Sequence, residues 1–162
     1  MTIESNTPML LFRFSNFGKY KFIDEHINII RENGYVWMLK MGRKSNIDKL
    51  KLIKKAGGWI ILREPKADGA KSYLAHFSEI VENQPIEKKY PNYYLEIIDN
   101  PGNFITTSST SYQWFRIDMI KEMKGDEADS LVITKTEKKV NEVIGTTRTA
   151  VMFIKNNKAI SV

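Results

Sequence analysis

Apolar residues recur along this chain in short segments whose spacing alternates between that of a strand and that of a helix. Met9 to Phe14 is a mainly apolar run typical of a strand. Isoleucines spaced by four and three residues within 23–30 predict a helix, and Gly34 lies where a helix end is expected. Tyr35 to Lys40 then returns to an extended pattern. The first forty residues therefore predict a strand, a helix and a second strand.

The next segment is a predicted helix with clear signals at both ends. Ser45, with Asp48 three residues later, resembles a capping box, and Gly57-Gly58 is a strong helix stop. Apolar and basic side chains fall on opposite faces of this helix. The apolar face holds Leu50, Ile53 and Ala56, and the basic face holds Lys51, Lys54 and Lys55.

The remainder of the chain predicts mostly strands. These are Trp59 to Arg63, Ser72 to Ile80, Tyr94 to Ile98, Gln113 to Ile117, Leu131 to Thr134 and Ala150 to Lys155. The first two resemble a hairpin, because a turn region with proline and glycine separates them. Gly102 to Ser111 is a threonine and serine loop, and Thr136 to Ile144 predicts a short helix that ends at Gly145.

This order of elements predicts an α+β fold. A doubly wound α/β protein would need a regular alternation of strands and helices, which the second half lacks. A small, strongly curved mixed sheet or open β-barrel with about three flanking helices fits better. A chain of 162 residues with no repeat or long linker predicts one domain, residues 1–162, with its core at about 9–155.

Composition excludes several classes of site. The chain has no cysteine, so disulfides, thiolate zinc sites and a cysteine nucleophile are excluded, and a reducing compartment fits. No apolar run approaches the roughly 18 residues of a membrane-spanning helix, and Met1 to Pro8 is too polar for a signal peptide. We therefore predict a cytoplasmic protein with no membrane partner.

The positive charge is concentrated in one part of the sequence. The formal net charge is +6, and residues 40–55 hold seven basic residues and one acidic residue, a local excess of six. The rest of the chain has 18 basic and 18 acidic residues. Such a local excess attracts polyanions, although a solvated lysine-rich helix would show the same pattern.

Motifs of common enzymes are absent from the sequence. It contains no phosphate-binding G-x-x-x-x-G-K-S/T loop, no G-x-G-x-x-G and no G-x-S-x-G. His26 and His76 lack nearby partners in sequence, which favours structural roles. We predict no catalytic residue, metal site or cofactor.

A metal-dependent nuclease is the enzymatic alternative. Its acidic residue and E-x-K pair would hold a divalent cation and orient a water molecule. Glu137, with Asp126 or Asp129 upstream, resembles that arrangement in part. However, Glu137 falls where a helix is predicted to begin, so its carboxylate is expected to interact with the helix dipole instead.

Two tryptophans lie close to basic residues. Trp37 precedes the basic window, and Trp114 follows a polar loop and precedes Arg116. Unpaired bases are recognised by stacking on such rings, while lysine and arginine hold the phosphates. Large aromatic residues in a domain of this size are usually core residues, so a pocket and a core role are both open.

The pattern over Met9 to Ile154 resembles the PUA-like superfamily, nearest to EVE-type domains and the related YTH and ASCH types. The resemblance rests on the tryptophan-containing strand and loop at Gly34–Ser45, the basic helix at Asn46–Gly58, the strand pair at Trp59–Ile80 and the aromatic strand Trp114–Ile117. It implies a pseudo-barrel that binds one nucleobase, often a modified one, between aromatic rings without covalent chemistry or a cofactor. Trp37, Arg43 and Ser45 match the strand and loop that line the pocket, and Trp114 matches the late aromatic wall.

We therefore predict a non-catalytic module that binds DNA or RNA. The predicted base pocket comprises Trp37, Lys40, Arg43, Ser45, Tyr93, Tyr112 and Trp114. The predicted contacts to the phosphate backbone are Lys44, Lys49, Lys51, Lys54 and Lys55. The alternative is a protein-interaction module, in which the tyrosine-rich segment Tyr90 to Tyr94 and the basic face bind an acidic protein partner.

Overall fold

The computed structural model describes residues 1–103 and 112–162. The described strands are β1 (Thr2–Ile3), β2 (Pro8–Arg13), β3 (Val36–Met41), β4 (Trp59–Arg63), β5 (Ser72–Val81), β6 (Tyr112–Glu122), β7 (Leu131–Ile133), β8 (Val151–Asn156) and β9 (Ile160–Ser161). The described α-helices are α1 (Phe22–Asn33), α2 (Ile47–Lys55), α3 (Tyr93–Asp99), α4 (Gly125–Asp129) and α5 (Val140–Val143). Short 3-10 turns lie at Lys66–Asp68, Pro101–Asn103 and Ile144–Thr146.

The main sheet has the strand order β3-β6-β5-β4-β2-β8-β7, and β1 and β9 form a separate antiparallel pair. Strand β2 runs parallel to β4, whereas the pairs β2 with β8, β3 with β6 and β7 with β8 are antiparallel. The end strands β3 and β7 do not pair with each other in the described ranges, so hydrogen bonds do not close the sheet into a barrel. The prediction of an α+β fold with a mixed sheet is confirmed.

Contacts divide the chain into two compact units. Unit 1 comprises Met1–Ser15, Ile47–Ala75 and Lys121–Val162, and unit 2 comprises Asn16–Asn46 and His76–Ile120. Each unit combines segments that are far apart in sequence. This explains why no shift in composition marks a boundary along the chain.

The core of unit 1 is aliphatic. The parallel strands β2 and β4 bury Leu10, Leu11, Ile60 and Ile61 completely. Helix α2 buries Leu50 and Ile53. Consecutive residues of both strands are buried, so both faces of the sheet are covered here, and the burial of apolar area stabilises the two strands.

Two helix ends follow the sequence signals closely. Gly34 adopts a left-handed conformation at the end of α1, and its amide donates to the carbonyl oxygen of Ile30 at 2.7 Å. After α2, Gly57 N–H donates to the Lys54 oxygen at 3.1 Å and Gly58 N–H to the Ile53 oxygen at 2.9 Å. This pair of bonds is a Schellman motif, so both predicted helix stops are confirmed.

The segment Tyr94 to Ile98 was predicted as a strand, and this prediction is wrong. It lies in helix α3, where Tyr93, Tyr94 and Ile97 are buried. Tyr94 and Ile97 follow Tyr93 by one and four residues, so all three side chains lie on one side of the helix. Tyrosine and isoleucine favour strands, and burial of this face outweighs that preference.

The helix predicted at Thr136 to Ile144 is shorter than expected. Glu137 has a positive φ of 59°, and Glu137 N–H and the Lys138 carbonyl both bond to Ile133. Residues 134–136 therefore form a turn after β7, Lys139 forms an antiparallel bridge with Val132, and α5 begins only at Val140. Strands β1 and β9 and helix α4 were not predicted, and most of the predicted loop Gly102 to Ser111 lies outside the described residues.

Within residues 1–103 and 112–162, no helix is both long enough and apolar enough to cross a lipid bilayer.

Candidate functional site

The lysine face of α2 is on the surface of unit 1, as predicted. Its residues Lys51, Lys54 and Lys55 are all exposed, and Lys49 is exposed on another side of the helix. The opposite face packs into the core through Leu50 and Ile53, whereas Ala56 is exposed because it follows the last helical residue. The Lys49 ammonium lies 4.8 Å from the centre of the Phe153 ring on β8. The helix thus presents several ammonium groups to solvent from one rigid element.

The loop before α2 belongs to unit 2 and carries Arg43 and Lys44, both exposed. The Lys44 ammonium forms an ion pair with Glu82 at 3.2 Å, and both side chains are about half exposed. A surface pair of this kind stabilises the fold little, since solvent screens it. An anionic ligand at Lys44 would compete with Glu82.

Lys40 and Ser45 hold this loop in place. Lys40 is buried on β3, and its ammonium donates to the carbonyl oxygen of Arg43. Burial lowers the pKa of Lys40 to about 8. The buried Gln113 side chain accepts from the Ser45 amide at 2.9 Å and donates to the Ser45 carbonyl at 3.1 Å. Lys40 is buried and Ser45 is half-buried, so the Lys40 ammonium and the Ser45 backbone are engaged by contacts within the protein.

The predicted aromatic pocket residues are packed in the core of unit 2. Trp114 is 1% exposed, Tyr93 3% and Trp37 8%, and they share one hydrophobic cluster with Tyr90 and Tyr94. A base can stack only on a ring with an open face, and neighbouring side chains cover these rings. The sequence left pocket and core roles open for Trp37 and Trp114, and the structure gives them the core role.

The tyrosines of the 90–94 segment belong to the same cluster. The Tyr90 ring centre lies 5.3 Å from that of Trp114, and Tyr94 lies 5.9 Å from Trp114 with an edge-to-face geometry. Tyr112 is half-buried against the cluster. These rings therefore stabilise unit 2, and Tyr90, Tyr93 and Tyr94 offer little surface to the acidic protein partner of the alternative hypothesis.

The two histidines occupy different surroundings in unit 2. His26 is completely buried between the Phe22 carbonyl and the Tyr94 hydroxyl, at 2.6 and 2.5 Å. His76 on β5 lies 2.8 Å from the Asp118 carboxylate on β6, and both side chains are about one third exposed. His26 thus has the structural role expected from the sequence, whereas the partner of His76 was not visible in the sequence.

The three acidic residues of the nuclease alternative each have a different partner. Asp126 pairs with Lys158 at 2.7 Å, Glu137 with Lys155 at 2.5 Å, and Asp129 accepts from the Asn141 amide at 2.7 Å. No group of three metal-binding side chains occurs in the part of the chain that the structure describes. These carboxylates serve local ion pairs and hydrogen bonds instead of converging on one point.

Unit 1 contains a cationic cavity that the sequence analysis missed. Its volume is about 640 Å³, and its positively charged lining residues are Arg13, Arg63, Lys66 and Arg148. The carboxylate of Glu64 is the acidic group in the lining. Four cations therefore face one anion around a space that would hold a small organic molecule.

Strand pairing brings Arg13 and Arg63 together. They are the last residues of the parallel strands β2 and β4 and are directly paired in register. The Arg13 guanidinium donates to the Thr147 carbonyl at 2.7 Å. Burial is the main cause that lowers the pKa of Arg63, and the positive charge of Arg13 lowers it further. The negative charge of Asp129 opposes this shift.

Arg63 is fixed by a chain of hydrogen bonds. Its Nη1 donates to Asn141 Oδ1 at 3.0 Å and to Ser72 Oγ at 3.2 Å. The Asn141 amide nitrogen in turn donates to Asp129, which fixes the amide with its oxygen toward Arg63. The guanidinium is therefore held in position before any ligand arrives.

The sequence does carry one signal for this cavity. Both Met9–Arg13 and Trp59–Arg63 are apolar runs that end in arginine. The sequence does not show that these two segments pair side by side as parallel strands. That pairing brings the two arginines together.

Comparisons with protein-family models, with curated proteins and with solved structures found no match for this chain. Its function is therefore inferred from the chemistry of its own surfaces.

Proposed function

We propose that this chain is a non-catalytic nucleic-acid-binding module that holds the phosphate backbone of DNA or RNA on the lysine face of α2. One observation carries the proposal: helix α2 is anchored in the core by Leu50 and Ile53 and exposes Lys49, Lys51, Lys54 and Lys55. A surface of this kind gains affinity by displacing the counterions condensed on the nucleic acid.

The geometry of α2 suits an extended polyanion better than a single compact anion. Lys51 and Lys55 are four residues apart, about 6 Å along the helix axis, and Lys54 lies beside them. Phosphates of a duplex supply one negative charge per about 1.7 Å of axis, so several ammonium groups in a row can be neutralised together.

The proposal has two further parts, a PUA-like pseudo-barrel and the recognition of a modified base. The sequence resemblance alone supports them. Because Trp37 and Trp114 are core residues, the proposed binding does not depend on stacking between them. The exposed Arg43 adjoins α2 in the sequence and is a candidate from the predicted pocket for contact with a base edge or phosphate.

The α2 surface is tested by replacing Lys51, Lys54 and Lys55 together with glutamine. We expect the affinity for single-stranded and duplex DNA and for RNA to fall at least about tenfold at low salt, because contacts to phosphates dominate such binding. Fluorescence anisotropy with labelled oligonucleotides measures the effect.

The matched control replaces Lys124, Lys135 and Lys138 with glutamine. These exposed lysines also lie in unit 1, outside α2, so the loss of net charge is identical. We expect the control to bind nearly as well as the original protein. Equal loss in the two variants, or no loss in the α2 variant, would show that α2 is not the binding surface.

A further inference from the structure

We propose that the cationic cavity of unit 1 binds a phosphate monoester. This inference is independent of the α2 proposal, because it rests on different residues and on a concave site. Three guanidinium groups and one ammonium group, those of Arg13, Arg63, Arg148 and Lys66, line the same space. Arginine forms pairs of parallel hydrogen bonds with phosphate oxygens, and several such groups suit a doubly charged anion.

The pairing of Arg13 with Arg63 is the first argument. Like charges directly opposite each other on neighbouring strands destabilise a sheet. Here the two arginines are register partners, and the positive charge of Arg13 disfavours the charged form of Arg63. A bound dianion would turn this repulsion into attraction, since both guanidinium groups would then face a negative charge.

The fixed orientation of the guanidinium groups is the second argument. Arg13 and Arg63 each use Nη1 to bond to the protein, through Thr147, Asn141 and Ser72. A guanidinium has five N–H donors, so each group also has Nε and Nη2 to offer to a ligand. Donors that are held in place before binding lose less conformational entropy when the ligand arrives.

The position and size of the cavity are the third argument. The cavity lies at the carboxyl ends of the adjacent parallel strands β2 and β4, the position at which parallel strands of α/β sheets commonly bind ligands. The volume of about 640 Å³ exceeds the needs of inorganic phosphate, and Pro65 and Ile144 add apolar lining. The cavity therefore fits a phosphate attached to an organic group, such as a nucleotide or the 5′ end of a nucleic acid.

Calorimetry with AMP and with adenosine tests the requirement for the phosphate. A second pair of ligands distinguishes the source of the phosphate. It consists of one short oligonucleotide with a 5′-phosphate and the same oligonucleotide with a 5′-hydroxyl. We expect at least one phosphorylated ligand to bind about tenfold or more tightly than its dephosphorylated form, because charge-assisted hydrogen bonds are lost without the phosphate. A preference for AMP alone indicates a free small molecule, and a preference in the oligonucleotide alone indicates a nucleic-acid end.

Variants connect this preference to the cavity. Arg148→Gln changes an exposed side chain, so the fold should persist, and we expect about tenfold weaker binding of the phosphorylated ligand. Arg63→Gln should have at least the same effect, with thermal unfolding used to verify its fold. Arg31→Gln on α1 removes an equal charge from an exposed position in unit 2 and should bind like the original protein.

Two results would overturn the assignment. One is equal affinity for the phosphorylated and dephosphorylated forms in both ligand pairs. The other is equal loss of affinity in Arg148→Gln and Arg31→Gln, which would indicate a general effect of net charge. The α2 lysines remain intact in these variants, so neither result would contradict the proposed binding of nucleic acid by α2. The two proposals can therefore be overturned independently of each other.

Discussion

At the scale of single residues, His26 shows how burial sets a charge state. Its Nδ1 faces the Phe22 carbonyl oxygen, which can only accept, so this nitrogen carries the proton and donates. Nε2 is then the acceptor for the Tyr94 hydroxyl. Burial lowers the pKa of His26 to about 4 and raises that of Tyr94, so both groups are neutral in the folded protein at pH 7.

His26 should therefore make stability depend on pH. In the unfolded chain its pKa returns to about 6.5, so below that pH the unfolded state binds a proton that the folded state does not. We expect the free energy of unfolding to decrease as the pH falls from about 6.5 to about 4, by up to about 3 kcal/mol from this residue. Urea unfolding at a series of pH values measures the decrease.

The two histidines of the chain provide the control for this prediction. His26→Gln keeps a neutral hydrogen-bonding side chain that does not titrate, so the part of the decrease due to His26 should vanish. His76→Gln leaves His26 in place and should retain that part. An unchanged pH dependence in His26→Gln would show that burial of His26 is not its cause.

At the scale of elements, the end of α2 depends on Gly57. This residue has a φ of 134°, a region that side chains with a Cβ rarely adopt. A Cβ built at position 57 would lie 2.4 Å from Nε1 of Trp59, which is itself buried at the start of β4. The turn from helix to strand thus requires glycine for two separate reasons.

Gly57→Ala should destabilise the protein by more than about 1 kcal/mol, because it adds backbone strain and a clash with Trp59. Gly125→Ala, at the start of α4, meets no atom within 4 Å and should change the free energy of unfolding little. Chemical unfolding of both variants compares them directly. Similar stability for the two would mean that the turn after α2 can rearrange at little cost.

At the scale of the whole molecule, the basic window of residues 40–55 is divided between different environments. Lys40 is buried, Lys44 pairs with Glu82, and the α2 lysines face solvent. Lys40, Arg43 and Lys44 belong to unit 2, and α2 belongs to unit 1. A charge count along the sequence therefore overstates how many of these groups act as one surface.

The salt dependence of nucleic-acid binding should report how many α2 lysines contact phosphates. For duplex DNA, each contact contributes about −0.9 to the slope of log K against log salt concentration. We expect the Lys51, Lys54 and Lys55 triple glutamine variant to lose about two to three units of this slope. The Lys124, Lys135 and Lys138 variant should keep the original slope, and an unchanged slope in the α2 variant would contradict the proposed contacts.

Local pattern was sufficient for most elements and for the surface of α2. Strand β4 begins and ends where the sequence predicted, and α2 buries Leu50 and exposes its lysines as its periodicity required. Helix α3 was mistaken for a strand, because tyrosine and isoleucine favour strands until a buried helical face outweighs that preference.

The sequence by itself determined the α+β class, the exposed lysines of α2, the glycine helix ends and the absence of cysteine chemistry. These properties depend on residue type and on spacings within a few residues, where backbone geometry dictates which side chains share a face. Tertiary structure alone decided that Trp37 and Trp114 are core residues and that Arg13 and Arg63 stand side by side. Those outcomes depend on which distant segments pack or pair, and local spacing carries no information about that choice.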